Sequence, residues 1–237
     1  MIPYWRLYPL PSPKPLKEGV VLLSGGLDST ITLAYLLHKG VTVHPLAIGN
    51  SSKYFEKKAM RFIRLISEHY KTHTYILESV NPEELLVKTS EQGADLDYVP
   101  GYQTFIYFPA LSYADKLGVD TLYTGFNSNT CIANEGKLHP NRKINDDTIS
   151  AIDSIVKLYN KLYDANMEVV HIFGYATKAE QLKVGKELGV PFEKTNSCWN
   201  FEPNSEDVWH CGSCFCCVKR KEAFRQAELV DPVKYLR

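Results

Sequence analysis

No stretch of the 237 residues approaches the roughly 20 consecutive apolar positions that a bilayer-spanning helix needs. Surplus charge is missing too: 27 lysines and arginines balance 27 aspartates and glutamates. That balance argues against a large nucleic-acid footprint, because phosphate backbones are held by excess basic charge. Five prolines stand in the first 19 residues, where a signal peptide needs an apolar helix, so none is expected there. The seven histidines are scattered, and no Ser-His-Asp or Cys-His arrangement suggests a protein nucleophile. These absences predict a cytoplasmic protein with no membrane partner, whose six cysteines are reduced or metal-bound rather than paired.

Apolar residues make up 44% of the chain and charged residues 23%, an ordinary globular balance for one α/β domain and a small appendage. Residues 1–19 read as a proline-rich N-terminal arm. Five apolar runs alternate with helical patterns: Val20–Leu23, 41–49, 72–79, 119–125 and 167–175 as strands, and 29–38, 51–70, 102–118, 146–165 and 177–189 as helices. Gly40 is placed to end the first helix, and Pro109 to bend the third or mark its first turn. Strands alternating with helices imply a parallel sheet with helices on both faces. The expected organisation is the arm, a nucleotide domain over 20–190, and a cysteine-rich segment and tail over 191–237.

The stretch Ser24-Gly25-Gly26-Leu27-Asp28-Ser29 follows the first strand directly and opens the first helix. Glycines let the backbone curl until its N–H groups converge, and the helix N-terminus adds partial positive charge, so the loop suits an anion. It is not a Walker loop, because Gly-Lys-Ser/Thr is missing, and it is not Gly-x-Gly-x-x-Gly. Asp28 makes sense where a magnesium ion is shared between phosphates and a carboxylate. The bland alternative is a strand–turn–helix corner capped by Asp28 or Ser29.

Five of the six cysteines lie near the C-terminus. Cys211, Cys214 and Cys217 form a Cys-x-x-Cys-x-x-Cys knuckle with Gly212 in the tight turn, and Cys198 can supply a fourth thiolate. Four thiolates suit a closed, tetrahedral, structural zinc site. An iron–sulfur cluster and buried free thiols are the other readings. Cys216 is the extra cysteine and should point away from the metal.

The loop resembles the pyrophosphatase loop of the N-type ATP pyrophosphatases, which adenylate a carbonyl oxygen and release pyrophosphate. With "YVPGYQTF", "ALSYADKLGVDTLYTGFN", "TKAEQLKVGKELGVPFEKTNSCW" and "CGSCFCCVKRKEAF", the chain resembles the QueC family of 7-cyano-7-deazaguanine synthases over most of 20–227. The resemblance implies an adenine nucleotide alpha hydrolase-like fold with a parallel sheet of about five strands and a small C-terminal zinc-binding region. It also implies ATP, Mg2+ and Zn2+ as cofactors, a homodimer, and a deazapurine carboxylate with ammonia as substrates. ATP would be held by Ser24, Gly25, Gly26, Leu27, Asp28 and Ser29, with Asp28, Ser29 and Lys178 as catalytic residues. The ligands of the zinc would be Cys198, Cys211, Cys214 and Cys217.

The substrate end departs from the family. Gly101-Tyr102-Gln103 stands where the family has Gly-Arg-Asn, and 128–147 does not match its substrate loop. Tyr102, Gln103 and Asn127 are therefore the expected substrate contacts. The reaction could end at the nitrile, stop at the amide, or pass the activated acid to another amine, including one on a macromolecule. A non-catalytic ATP-binding module is the reading from a different class.

Overall fold

The computed structural model describes residues 16–49, 59–78, 102–127, 148–174, 176–198 and 209–236. Five strands form one sheet: β1 (Gly19–Leu22), β2 (Val43–Gly49), β3 (Tyr75–Glu78), β4 (Thr121–Asn127) and β5 (Glu168–Phe173). Their order is β3-β2-β1-β4-β5 and every pairing is parallel. Each strand was anticipated within a few residues. The order reverses between β1 and β4, and such a switch point opens a crevice at the carboxyl ends of the strands.

Side chains alternate along β1 as the pleat requires. Val21 and Leu23 enter one core with residues of α1 (Leu27–His38), α2 (Met60–Tyr70) and α5 (Lys178–Glu187). Val20 and Leu22 enter the other, with α3 (Tyr102–Leu117) and α4 (Thr148–Tyr163). Both faces of the sheet are thus covered, which accounts for strands that read as apolar runs. The helix α6 (Phe215–Gln226) adds Ala223 and Phe224 to the first core, and a two-stranded parallel pair, β6 (Trp209–His210) with β7 (Lys234–Tyr235), closes the tail.

One local expectation shifts: the first helix begins at Leu27, not Ser29, with Gly26 as an N-cap that offers no side-chain hydrogen bond. Pro109 lies inside α3, beyond its first turn. Gly40, at φ +71°, takes the left-handed turn after α1. The segment 51–58 of the anticipated second helix lies outside the described residues, as does the arm up to position 15; Leu16 packs on the first core, and Lys17 pairs with Asp120 at 2.7 Å. Among the described residues no helix is long and apolar enough to cross a membrane.

Candidate active site: a phosphate loop backed by a cysteine knuckle

The loop after β1 is built from close approaches. Gly25 has φ +74°, and a Cβ there would stand 2.8 Å from Cβ of Phe62 on α2. Only glycine meets both demands. Ser29 folds back across the loop: its Oγ accepts from the Ser24 N–H at 3.2 Å, lies 3.1 Å from Ser24 Oγ and reaches the Gly26 carbonyl at 3.3 Å. Ser29 is therefore a brace of the curl. The alternative of an Asp28 or Ser29 cap fails, because the N-cap is Gly26 and no side chain caps the first turn. The helix start keeps its partial positive charge facing the crevice.

Asp28 sits in that first turn. Its Oδ2 takes the Lys178 ammonium at 2.9 Å, both side chains being about a quarter exposed. Its Oδ1 is buried and has no hydrogen-bond partner. A carboxylate oxygen left without a donor is costly unless a ligand completes it. The site thus fits a divalent cation or a donor group from a bound molecule.

Lys178 is set by its own helix. Thr177 and Glu180 form a reciprocal capping box, which fixes the start of α5 and aims Lys178 at the loop. One turn on, Gln181 is fully buried; its amide donates to the Asp28 carbonyl at 3.1 Å, and its Oε1 accepts from Asn127 Nδ2 at 2.9 Å. Asn127, read from the sequence as a substrate contact, is fully buried and has its amide on Gln181. Tyr102 and Gln103 open α3, and their side chains lie outside the described residues, as does 128–147.

Two contributors escaped the sequence reading. Gln181 had a weak signal, standing at i+3 from Lys178 and so on the same helix face. Gly125 had another. It lies where the β4–β5 register shifts, and a Cβ on it would come within 2.7 Å of the Asp28 carbonyl carbon and the Ser29 nitrogen. A glycine inside a strand often marks a backbone approaching this closely; here it lets α1 seat its first turn on β4.

The knuckle lies behind the loop. One ligand atom from each of Cys198, Cys211, Cys214 and Cys217 falls within 4.8 Å of all the others. Sulfurs at about 2.3 Å from a tetrahedral ion would stand about 3.8 Å apart, and those of Cys211 and Cys217 are 3.9 Å apart. Gly212, at φ +79°, makes the turn between Cys211 and Cys214. Backbone N–H groups of Cys211 and Cys214 point at Cys198 Sγ and Cys211 Sγ, each at 3.3 Å. The four-thiolate set fits one metal ion.

Burial pushes Cys198 up to about 11 and Cys217 higher still, whereas at Cys211 it is outweighed by donors from Cys214 and Ser213, leaving about 6. Cys216 stands outside the four. Burial raises its thiol to about 12, and it is near enough to Lys178 and Asp28 to feel both charges. His210 is fully buried, and its Nε2 accepts the Ser197 N–H at 3.2 Å, which takes that nitrogen away from metal binding.

The family model for queuosine biosynthesis protein QueC matches residues 18–228. A 7-cyano-7-deazaguanine synthase of Thermoplasma volcanium is 31% identical, the match covering 92% of this chain and 91% of that protein. One from Clostridium kluyveri is 29% identical over 93% of this chain and 98% of its own. The fold is shared with a 4-thiouridine synthetase solved in an RNA complex with bound ATP: TM-score 0.51, 20% identity, 89% of this chain and 50% of that one. It is also shared with an NMN synthetase from Francisella tularensis, at TM-score 0.50, 15% identity, 89% of this chain and 84% of that one.

Proposed function

The chain belongs to the QueC family, and on that footing we propose that it is an ATP-dependent carbon–nitrogen ligase that activates 7-carboxy-7-deazaguanine by adenylation. The observation that carries this reading is the Asp28–Lys178 pair at the uncapped start of α1, where the sheet order reverses. The converging N–H groups of Ser24–Ser29 hold the β- and γ-phosphates. Lys178 neutralises charge that gathers on the departing pyrophosphate. Asp28 would hold Mg2+ through the oxygen that lacks a partner, and the ion would supply further charge neutralisation among the phosphates.

A carboxylate is a poor electrophile because its leaving group would be oxide. One carboxylate oxygen attacks the α-phosphorus, pyrophosphate leaves, and that oxygen becomes part of an adenylate leaving group. Ammonia attacks the acyl carbon, loses a proton, and expels AMP to leave the amide. A second ATP adenylates the amide oxygen, and loss of AMP and protons gives the nitrile. Every step is positioning and charge neutralisation, in keeping with a site that offers no nucleophile–base pair among the described residues.

The cysteine set is read as one structural zinc per chain, held by Cys198, Cys211, Cys214 and Cys217. Sulfurs this close together support a single ion over a four-iron cluster, whose thiolates stand around a larger cube. The family's homodimer is part of the same reading.

A second reading is favoured by the altered residues at 101–103 and 128–147: the enzyme stops at the amide or passes the acyl group to another amine. Pyrophosphate release from ATP with 7-carboxy-7-deazaguanine, with and without ammonia, tests adenylation, and mass spectrometry of the products separates the two readings. Nitrile formed at the pace of ATP use sinks the second. Absence of acid-dependent pyrophosphate release sinks both.

A further inference from the structure

The phosphate loop and the cysteine knuckle are joined by a four-residue strap, Thr195 to Cys198. The Asn196 N–H donates to the Gly25 carbonyl at 3.0 Å. The Asn196 carbonyl oxygen stands 3.3 Å from where a Cβ on Gly26 would lie. The other face of Asn196 belongs to the knuckle: its Oδ1 accepts from the Cys198 N–H at 2.9 Å, and its Nδ2 donates to the Cys198 carbonyl at 3.3 Å. One residue therefore touches both the curl of the loop and the backbone of a cysteine of the metal set.

The strap is fixed on both sides. Arg220, fully buried, lies three residues beyond Cys217 on α6 and donates to Thr195 Oγ1 at 2.9 Å, to the Thr195 carbonyl at 3.3 Å and to the Phe192 carbonyl at 3.0 Å. Asp231 holds the same guanidinium at 2.8 and 3.0 Å. The Ser197 N–H is taken by His210, next to Cys211.

A second contact runs in parallel. Phe62 is fully buried in an apolar cluster with Cys198 and Cys217, and its Cβ closes on Gly25 from the side of α2. Gly25 is thus bounded by Asn196 and Phe62, and both of them touch the knuckle.

We propose that the cysteine centre is the support of the phosphate loop, with Asn196 as the positioning residue, so that metal occupancy sets the affinity for the triphosphate of ATP. Without the ion, four sulfurs crowded together lose the charge that holds them, Cys198 relaxes, and Asn196 no longer presses the Gly25–Gly26 curl into register. Coupling between two binding sites is reciprocal, so bound nucleotide tightens metal binding by the same factor by which metal tightens nucleotide. The inference rests on Ser24–Ser29 being the triphosphate site.

The test is calorimetric titration of the full chain with Mg2+ and ATP, alongside elemental analysis and hydrogen exchange of the peptide spanning the loop. Three samples are compared: metal-loaded wild type, wild type stripped by a chelator, and loaded Asn196→Ala. The variant should keep its metal, lose affinity for ATP on the order of 10-fold, and exchange loop amides faster while β1 and β4 stay protected. Stripped wild type should show the same two changes, and loaded Asn196→Asp, which retains the acceptor for Cys198, should recover most of the affinity.

Equal affinity in loaded and stripped wild type overturns the proposal, whether or not the alanine variant folds. So does an alanine variant that keeps its metal and binds ATP as wild type does. Loaded wild type that binds no ATP overturns the loop assignment itself, a separate and recognisable failure.

Discussion

The phosphate loop and the cysteine knuckle are neighbours built to opposite plans. The loop leaves a buried carboxylate oxygen without a donor and keeps its one ion pair partly exposed. The knuckle buries Cys198 and Cys217, leaves Cys211 and Cys214 half-buried, braces two of its sulfurs with backbone N–H groups and locks its helix with a fully buried arginine. An unsatisfied group beside a partly exposed ion pair suits an occupant that arrives and departs each turnover. A satisfied, braced set suits an occupant that stays. The contrast teaches that polar satisfaction, more than burial, separates the two kinds of site.

The largest effect should come from Asp28→Ala, with AMP production falling by about 10³-fold or more while the melting curve and metal content hold. If activity survives, the loop is not the working site and the contrast collapses. Arg220→Ala attacks the other region. Removing one partner of a buried, hydrogen-bonded pair costs about 3–5 kcal/mol, read as a lower denaturant midpoint; a variant as stable as wild type would show that the knuckle needs no lock.

Lys178→Ala should lower kcat by about 10²-fold, while stability changes by less than about 1 kcal/mol, because the pair is partly solvated. An effect on stability alone would make Lys178 part of the scaffold. Gly125→Ala should cost about 1–3 kcal/mol by overpacking against the first turn of α1, which a urea series would read.

An effect confined to acid conditions concerns His171 on β5, whose Nδ1 lies 2.6 Å from Thr124 Oγ1 and whose Nε2 is buried without a partner. Burial holds its pKa down at about 4, below the ordinary 6.5. Between those values the unfolded chain carries the proton and the folded chain does not. Stability is therefore full above about pH 6.5 and falls toward pH 4, by about 1.4 kcal/mol per unit. His171→Gln should remove that slope from urea midpoints measured at several pH values; an unchanged slope would place the titration elsewhere.

Much of this was legible before any fold was seen. The strand, the double glycine and Asp28 are contiguous, so one short run displays the candidate phosphate loop whole. Cys211, Cys214 and Cys217 are three residues apart, and Lys178 stands at a recognisable helix start. What stayed hidden involves partners far apart in the chain. Gln181 has no partner to suggest its role until α5 meets Asp28. Asn127 reads as a pocket residue until β4 turns its amide to Gln181. Gly125 and Asn196 lie in stretches that carry the family resemblance, but nothing local marks what either one touches.

The sequence by itself determined the alternation of strands and helices, the glycine curl after β1 and the cysteine set, because each depends on spacing within a few residues and on backbone chemistry that acts locally. Only the tertiary structure decided that Lys178 reaches Asp28, that Asn127 and Gln181 stand behind the loop, and that Asn196 and Phe62 join the loop to the knuckle. Those contacts exist because parallel strand order brings β1, β4 and the segment after α5 to one edge of the sheet. A contact between residues 25 and 196 leaves no periodic trace in either stretch; it follows from the packing alone.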